Sequence, residues 1–128
     1  MRSVLALVAL ISLAGIRPAL AATYYVDVNY DQTNGTSDGT SAQPYTNITA
    51  AVAAANTNAG ADTIYVADGT YRSLLAGGYE DFGSAGILID STDMTLMGGY
   101  AGWQGGGSFD WSTRVTRSSV VDLGGANS

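Results

Sequence analysis

Thr63-Ile64-Tyr65-Val66-Ala67-Asp68-Gly69-Thr70-Tyr71 is the stretch on which the fold turns. Ile64 and Val66 alternate with Thr63, Tyr65 and Ala67, the period of two that lets a strand put one face inward. Asp68-Gly69 then supplies turn residues, and Asp68 to Tyr71 is expected to turn the chain. The same grammar repeats downstream. Gly86-Ile87-Leu88-Ile89-Asp90 points Ile87 and Ile89 inward before the turn Ser91-Thr92-Asp93. Met94-Thr95-Leu96-Met97 is a further strand, stopped by Gly98-Gly99. Ser119-Val120-Val121-Asp122-Leu123 is the last, marked by Val121 and Leu123, and it runs into Gly124-Gly125-Ala126-Asn127-Ser128. The uneven spacing suits a solenoid whose turns of roughly 20 to 30 residues each hold several short strands. A sandwich also gives short strands with turns, but it does not explain the helix that precedes them.

That helix is written in Ile48, Ala51, Val52 and Ala55, which fall at i, i+3, i+4 and i+7 and form one apolar stripe. Asn47 stands at the N-cap, Ala50, Ala53 and Ala54 add propensity, and Asn56 to Gly60 ends it. So short a helix is marginal alone, so it must lie on an apolar surface, and the open end of a stack of strands is the expected place. Before it, Tyr24-Tyr25-Val26-Asp27-Val28-Asn29 alternates as a strand, with Tyr24, Val26 and Val28 on one face and Tyr25, Asp27 and Asn29 on the other. Asp31 to Gln43, dense in Asn, Gly, Thr, Ser and Asp, is a loop, with turn dipeptides at Asn34-Gly35 and Asp38-Gly39.

The first residues give an address. Met1-Arg2 is a short positive start, Ser3 to Ile16 is apolar, and Arg17-Pro18 breaks the run ahead of Ala19-Leu20-Ala21. This is the pattern of a secretory signal peptide, residues 1–22 at most, cut after Ala21 or Ala22. An apolar run of about 14 residues falls short of the roughly 20 that span a bilayer. The mature chain, 23–128, is expected to be secreted or held at the cell surface with no transmembrane segment of its own. It reads as one small domain: a front cap, about three incomplete coils, and a last strand with no cap behind it. It is therefore expected to be truncated and to continue into downstream coils.

Composition excludes several chemistries. The whole chain has five Lys plus Arg, eleven Asp plus Glu, no His and no Cys, for a net charge of −6. Losing Arg2 and Arg17 with the signal leaves only Arg72, Arg114 and Arg117 as cations. Such a surface repels nucleic acid and anionic membranes and tolerates divalent cations and neutral polysaccharides. Without Cys there is no disulfide and no thiolate chemistry; without His, His-based triads and His metal sites are excluded.

Three sets of residues stand out as candidate sites. Asp27, Asn29, Asp31 and Asp38 place oxygen ligands at alternate positions and then one further on, which suits calcium. Gln32 where an EF-hand has Gly, and no preceding helix, depart from that pattern, and the same residues serve as local backbone acceptors in turns. Tyr100, Trp103, Phe109 and Trp111 lie in a glycine-rich insertion, Gly98 to Ser112, where rings either stack on sugars or fold back over the coil edge. Glu80 with Asp81, and Asp90 with Asp93, flank turns, where acids serve solvation, and give no catalytic pair. Arg114 and Arg117 are expected to pair with internal carboxylates rather than an acidic sugar.

Tyr24-Tyr25-Val26-Asp27, Asp38-Gly39-Thr40-Ser41, Pro44-Tyr45-x-x-Ile48-x-x-Ala51-Val52 and Ala61-Asp62-Thr63-Ile64-Tyr65-Val66-Ala67-Asp68-Gly69-Thr70-Tyr71 together resemble the N-terminal opening of secreted right-handed parallel β-helix proteins, the pectate-lyase-like superfamily. Leu96-Met97-Gly98-Gly99-Tyr100, with Trp111, Arg114 and Val120 to Gly125, looks like the early coils of bacterial β-helix surface proteins. The resemblance implies an all-β right-handed solenoid with a helical cap. It also implies one of two roles: a non-enzymatic surface or adhesive protein, or the front of a polysaccharide lyase or hydrolase whose active site lies downstream. No catalytic residue of the lyases falls on a position of this chain. Thr46-Asn47 and Ala61-Asp62 depart from the family's usual residues, and the turn glycine then falls at Gly60.

Overall fold

The computed structural model describes residues 20–72, 78, 93–115 and 120–122. The expected signal residues 1–19, the strand 86–90, Glu80, Asp81, Asp90, Arg117 and Leu123 lie outside them. The described chain is all-β apart from one short helix. Its elements are β1 (Thr23–Val26), a 3₁₀ turn (Gln32–Asn34), α1 (Ile48–Thr57), β2 (Asp62–Ala67), β3 (Thr70–Arg72), β4 (Met94–Gly105), β5 (Ser108–Arg114) and β6 (Val120–Asp122).

Four strands form one sheet in the order β1-β2-β4-β5, and β3 pairs with β6 in a second. β1, β2 and the first part of β4 run parallel and nearly residue on residue: Tyr24 on Ile64 on Leu96, and Tyr25 on Tyr65 on Met97. β3 and β6 are also parallel, Tyr71 beside Val121. Parallel neighbours demand a crossover between them; α1 lies in the crossover from β1 to β2.

The inner face carries the core. Val26, Ile64 and Val66 are buried together with Ile48, Ala51, Val52 and Ala55 of α1, the stripe written in the sequence, and Tyr24, Val28, Tyr45 and Met94 pack around them. Asn47 caps the helix as expected, its Oδ1 accepting from Ala50 N at 2.7 Å. Tyr71 departs from expectation. It belongs to β3 rather than to a turn, and its ring is fully buried in the core. Its hydroxyl is satisfied by donating to the Ala67 carbonyl at 3.0 Å. A tyrosine can be buried this way because its polar tip finds a partner while the ring supplies apolar area.

The two edges of the parallel stack differ. On the β1 side, Tyr25 N donates to Gly39 O at 2.9 Å, Asp27 N to Tyr45 O at 2.7 Å, and Tyr45 N to Tyr25 O at 2.9 Å. The loop before the helix therefore occupies the hydrogen-bonding groups that an edge strand would otherwise present to another chain. On the β4 side, β5 pairs only with the second half of β4, from Tyr100 onward. Leu96, stacked on the fully buried Ile64, is 47% exposed.

β4 does not stop at Gly98-Gly99. It runs on to Gly105, turns through Gly106-Gly107 and returns as β5 in antiparallel register, Gly102 opposite Asp110 and Trp103 opposite Phe109. The segment expected as a glycine-rich loop is a β-hairpin. Its glycines permit it: Gly105, Gly106 and Gly107 have φ of +87°, +60° and +84°, a region that residues with a Cβ disfavour.

Candidate functional site

Period two puts Tyr25 and Tyr65 on the outer face of the sheet, opposite the core, and parallel register stacks them with ring centroids 5.4 Å apart. The hairpin then folds over this face. Trp111 lies 4.8 Å from Tyr25, Tyr100 packs edge-on to Tyr65 at 5.0 Å, and Phe109 stacks on Trp111 at 6.0 Å, nearly parallel. Phe109 and Trp103 are 5.0 Å apart, and both touch Tyr30 at 5.8 Å. The result is a continuous aromatic band from Tyr100 to Tyr30. Tyr30 and Tyr100 are buried, and the other rings keep partly exposed surface. The rings named from sequence as candidates thus join Tyr25, Tyr30 and Tyr65. Sequence reasoning missed these three, although the alternation in Tyr24 to Asn29 already placed Tyr25 on the outer face.

Polar contacts fix the band. Trp111 Nε1 donates to Ser41 O at 2.9 Å, which ties β5 to the loop that covers β1. Arg114 lies over the Tyr100 ring, 5.1 Å from its centroid, and its Nη2 donates to the Gly98 carbonyl. Among the described residues the partners of the Arg114 guanidinium are thus a ring and a carbonyl on β4, while the acidic turns of Glu80, Asp81 and Asp90 lie outside those residues. Asp110 accepts from Ser112 N at 2.9 Å, Ser112 Oγ at 2.8 Å and Thr113 N at 2.9 Å, and these donors hold its carboxyl far below the usual range. Burial pushes the Tyr25 phenol up, with Tyr65 adding to it. Beside Tyr30, a cleft of about 380 Å³ is lined by Val28, Tyr30, Gln32 and Thr46.

Asp27 is the hinge of the arrangement. It lies on the face opposite Val26 and Val28, as the alternation places it, and it is only 1% exposed. One carboxylate oxygen accepts from Asn29 N at 2.8 Å and the other from Trp103 N on the hairpin. Burial pushes its carboxyl above the ordinary value, and the two backbone donors oppose that shift. Gly102, at φ +67°, lies so close that a Cβ there would overlap Asp27 Oδ2 and the Ala67 side chain. A buried carboxylate thus pins the hairpin through a backbone amide, and glycine is the residue that allows the approach.

The four calcium candidates are spread among separate tasks. Asp31 accepts from Thr33 N at 2.9 Å and Asp38 from Thr40 N at 2.9 Å, bonds that lower both carboxyls below their ordinary values. Asn29 Nδ2 donates to Asp68 O at 3.4 Å. Among the described residues no group of three or more acidic, His or Cys side chains is placed to hold a metal ion. Among the same residues no helix is long and apolar enough to cross a membrane.

Residues 32–107 match the family model described as a protein of unknown function, DUF1565. The chain belongs to this family. The DUF1565 segment runs from the 3₁₀ turn through α1, β2, β3 and β4 to the hairpin tip, so it includes Gly102 and Trp103; Tyr25, Asp27, Phe109 and Trp111 flank it. No curated protein and no solved structure matches the chain.

Proposed function

We propose that this DUF1565 chain is the N-terminal cap and first coils of a right-handed parallel β-helix in an exported, non-enzymatic surface protein. In this reading β1, β2 with β3, and β4 with β6 are successive rungs, and further coils of the same chain follow. One observation carries it: among the described residues, the in-register parallel stack has one covered edge and one that no described strand covers. The loop of Gly39 and Tyr45 occupies the β1 edge, whereas Met94 to Met97 pairs with β2 on one side and Leu96 offers an apolar step above Ile64. A stack with this polarity nucleates growth in one direction.

The test is sedimentation of residues 22–128 expressed alone. The chain self-associates through the open rung, and Leu96→Arg shifts it toward monomer. A monomeric chain with a sharp cooperative melt and Leu96 intact would contradict the reading.

A second role rests on the aromatic band. Trp111, Phe109, Trp103 and Tyr25 keep partly exposed rings on a surface poor in cations, which suits stacking against neutral polysaccharide. Titration of tryptophan fluorescence with neutral oligosaccharides checks this. Saturable quenching that Trp111→Ala removes supports the role, and a flat response rejects it.

A further inference from the structure

Asp62 is a carboxylate 1% exposed at the start of β2. Its Oδ1 accepts from Ala22 N at 2.8 Å and from Asn58 Nδ2 at 2.6 Å, while its Oδ2 is buried with no partner. A buried carboxylate satisfied by neutral donors on one oxygen alone is an uncompensated charge, which is costly. The donor that reaches it belongs to Ala22, the residue after the small-x-small pattern Ala19-Leu20-Ala21. Leu20 and Ala21 are exposed; Ala22 is half-buried and is where the chain joins the ladder, Thr63 N donating to Ala22 O at 3.0 Å.

We infer that the signal peptide is cut between Ala21 and Ala22 and that the new α-ammonium of Ala22 is the counter-ion of Asp62, locking the mature N-terminus onto β2. The inference rests on the export reading. Hydrolysis of the Ala21–Ala22 bond gives the oxygen of water to the Ala21 carboxylate and leaves the Ala22 nitrogen protonated; no oxidant or reductant takes part. The amide that donated one hydrogen becomes an ammonium that donates three. One keeps the bond to Oδ1, and a second is available to Oδ2, the oxygen that lacks a partner. A cut one residue later, after Ala22, would remove both the donor to Asp62 and the acceptor of Thr63 N. The structure thus separates two cleavage points that sequence alone leaves open, and it gives the retained residue a task.

The experiment is to express the full chain in a bacterial secretion host, sequence the N-terminus of the product, and time its acetylation. Residues 22–128 hold no Lys, so in the product expressed from this sequence the α-amine is the primary amine that reacts and its modification is unambiguous. The expected product is exported and begins at Ala22. Its α-amine reacts about tenfold or more slowly at neutral pH than that of Asp62→Asn, since one pKa unit of stabilised ammonium removes about nine-tenths of the reactive free amine. An exported product beginning at Thr23 or elsewhere overturns the inference while the export reading stands. A product beginning at Ala22 with equal rates in the two proteins overturns the ion pair. An uncut chain retained in the cytoplasm overturns export and the inference with it. Should Asp62→Asn fail to fold, the native chain is compared with itself in urea, where an unchanged rate again overturns the ion pair.

Discussion

The two faces of the parallel sheet are built from the same strands and held by different physics. On the inner face, Val26, Ile64 and Val66 meet the stripe of α1 and are sealed from water, so their contribution scales with buried apolar area. On the outer face, Tyr25 and Tyr65 are covered only when the hairpin of β4 and β5 folds back, and that fold depends on one carboxylate, Asp27, and one glycine, Gly102. The inner face needs residues of the right size in the right period. The outer face needs particular atoms in particular places, so small changes there should detach a whole element.

The largest effect is expected on the inner face. Ile64→Ala should cost about 2–5 kcal/mol in urea unfolding, because Ile64 is fully buried and the cavity cannot collapse onto an in-register neighbour. Leu96→Ala, one rung away in the same column, should cost well under half of that, since Leu96 is 47% exposed. Equal costs would erase the difference between a covered and an open rung.

Next in size is Gly102→Ala. The added Cβ meets Asp27 and Ala67 at a φ of +67°. We expect a loss of about 2–3 kcal/mol together with a red shift of tryptophan emission as the band opens. Gly106→Ala, at φ +60° but facing open space, should cost only about 1 kcal/mol and leave the emission unchanged. If both behave alike, backbone strain alone rather than close approach governs the hairpin.

A smaller effect is a pH dependence of opposite sign at two carboxylates of the outer face. Asp27 is raised by burial, so its contribution to stability is fully present below the unfolded carboxylate value and is lost as pH rises through its folded value. Asp110 is lowered by its hydrogen bonds, so its contribution is present above the unfolded value and is lost as pH falls. Chemical-shift titration of the two carboxyls should show Asp27 titrating above, and Asp110 below, the ordinary Asp value. Asp27 titrating below it would mean that the backbone donors outweigh burial.

Legibility in the sequence follows the same division. The inner face is periodic, so Ile64, Val66 and the Ile48-Ala51-Val52-Ala55 stripe could be placed from spacing alone, and the Asn47 cap from residue type. The outer face is not periodic in that sense. Gly98-Gly99 looks like a strand stop because glycine weakens strands, and only the long-range pairing of β4 with β5 shows that the strand continues. Asp27 alternates with Val26 and Val28, which places it on the opposite face but does not tell that it is buried; its cover comes from a hairpin attached more than seventy residues later, through the Trp103 amide. Tyr71 reads as part of a turn for a related reason, since Asp68-Gly69 does turn the chain but a strand resumes at Thr70. Of the calcium candidates, Asp31 and Asp38 each accept from a backbone amide two residues on, the local habit of aspartate in loops.

Parallel strands stacked in register are the central feature of the molecule, and the chain's lack of cysteine allows a direct test. Thr63 and Thr95 are register partners on β2 and β4, and parallel neighbours about 4.8 Å apart fall within disulfide range. Oxidation of Thr63→Cys/Thr95→Cys should give an intramolecular disulfide in a chain that still melts cooperatively. Thr63→Cys/Leu96→Cys, slipped by one residue and therefore facing opposite sides of the sheet, should stay reduced. A disulfide in the slipped pair, with none in the register pair, would contradict the stacked rungs and the proposal built on them.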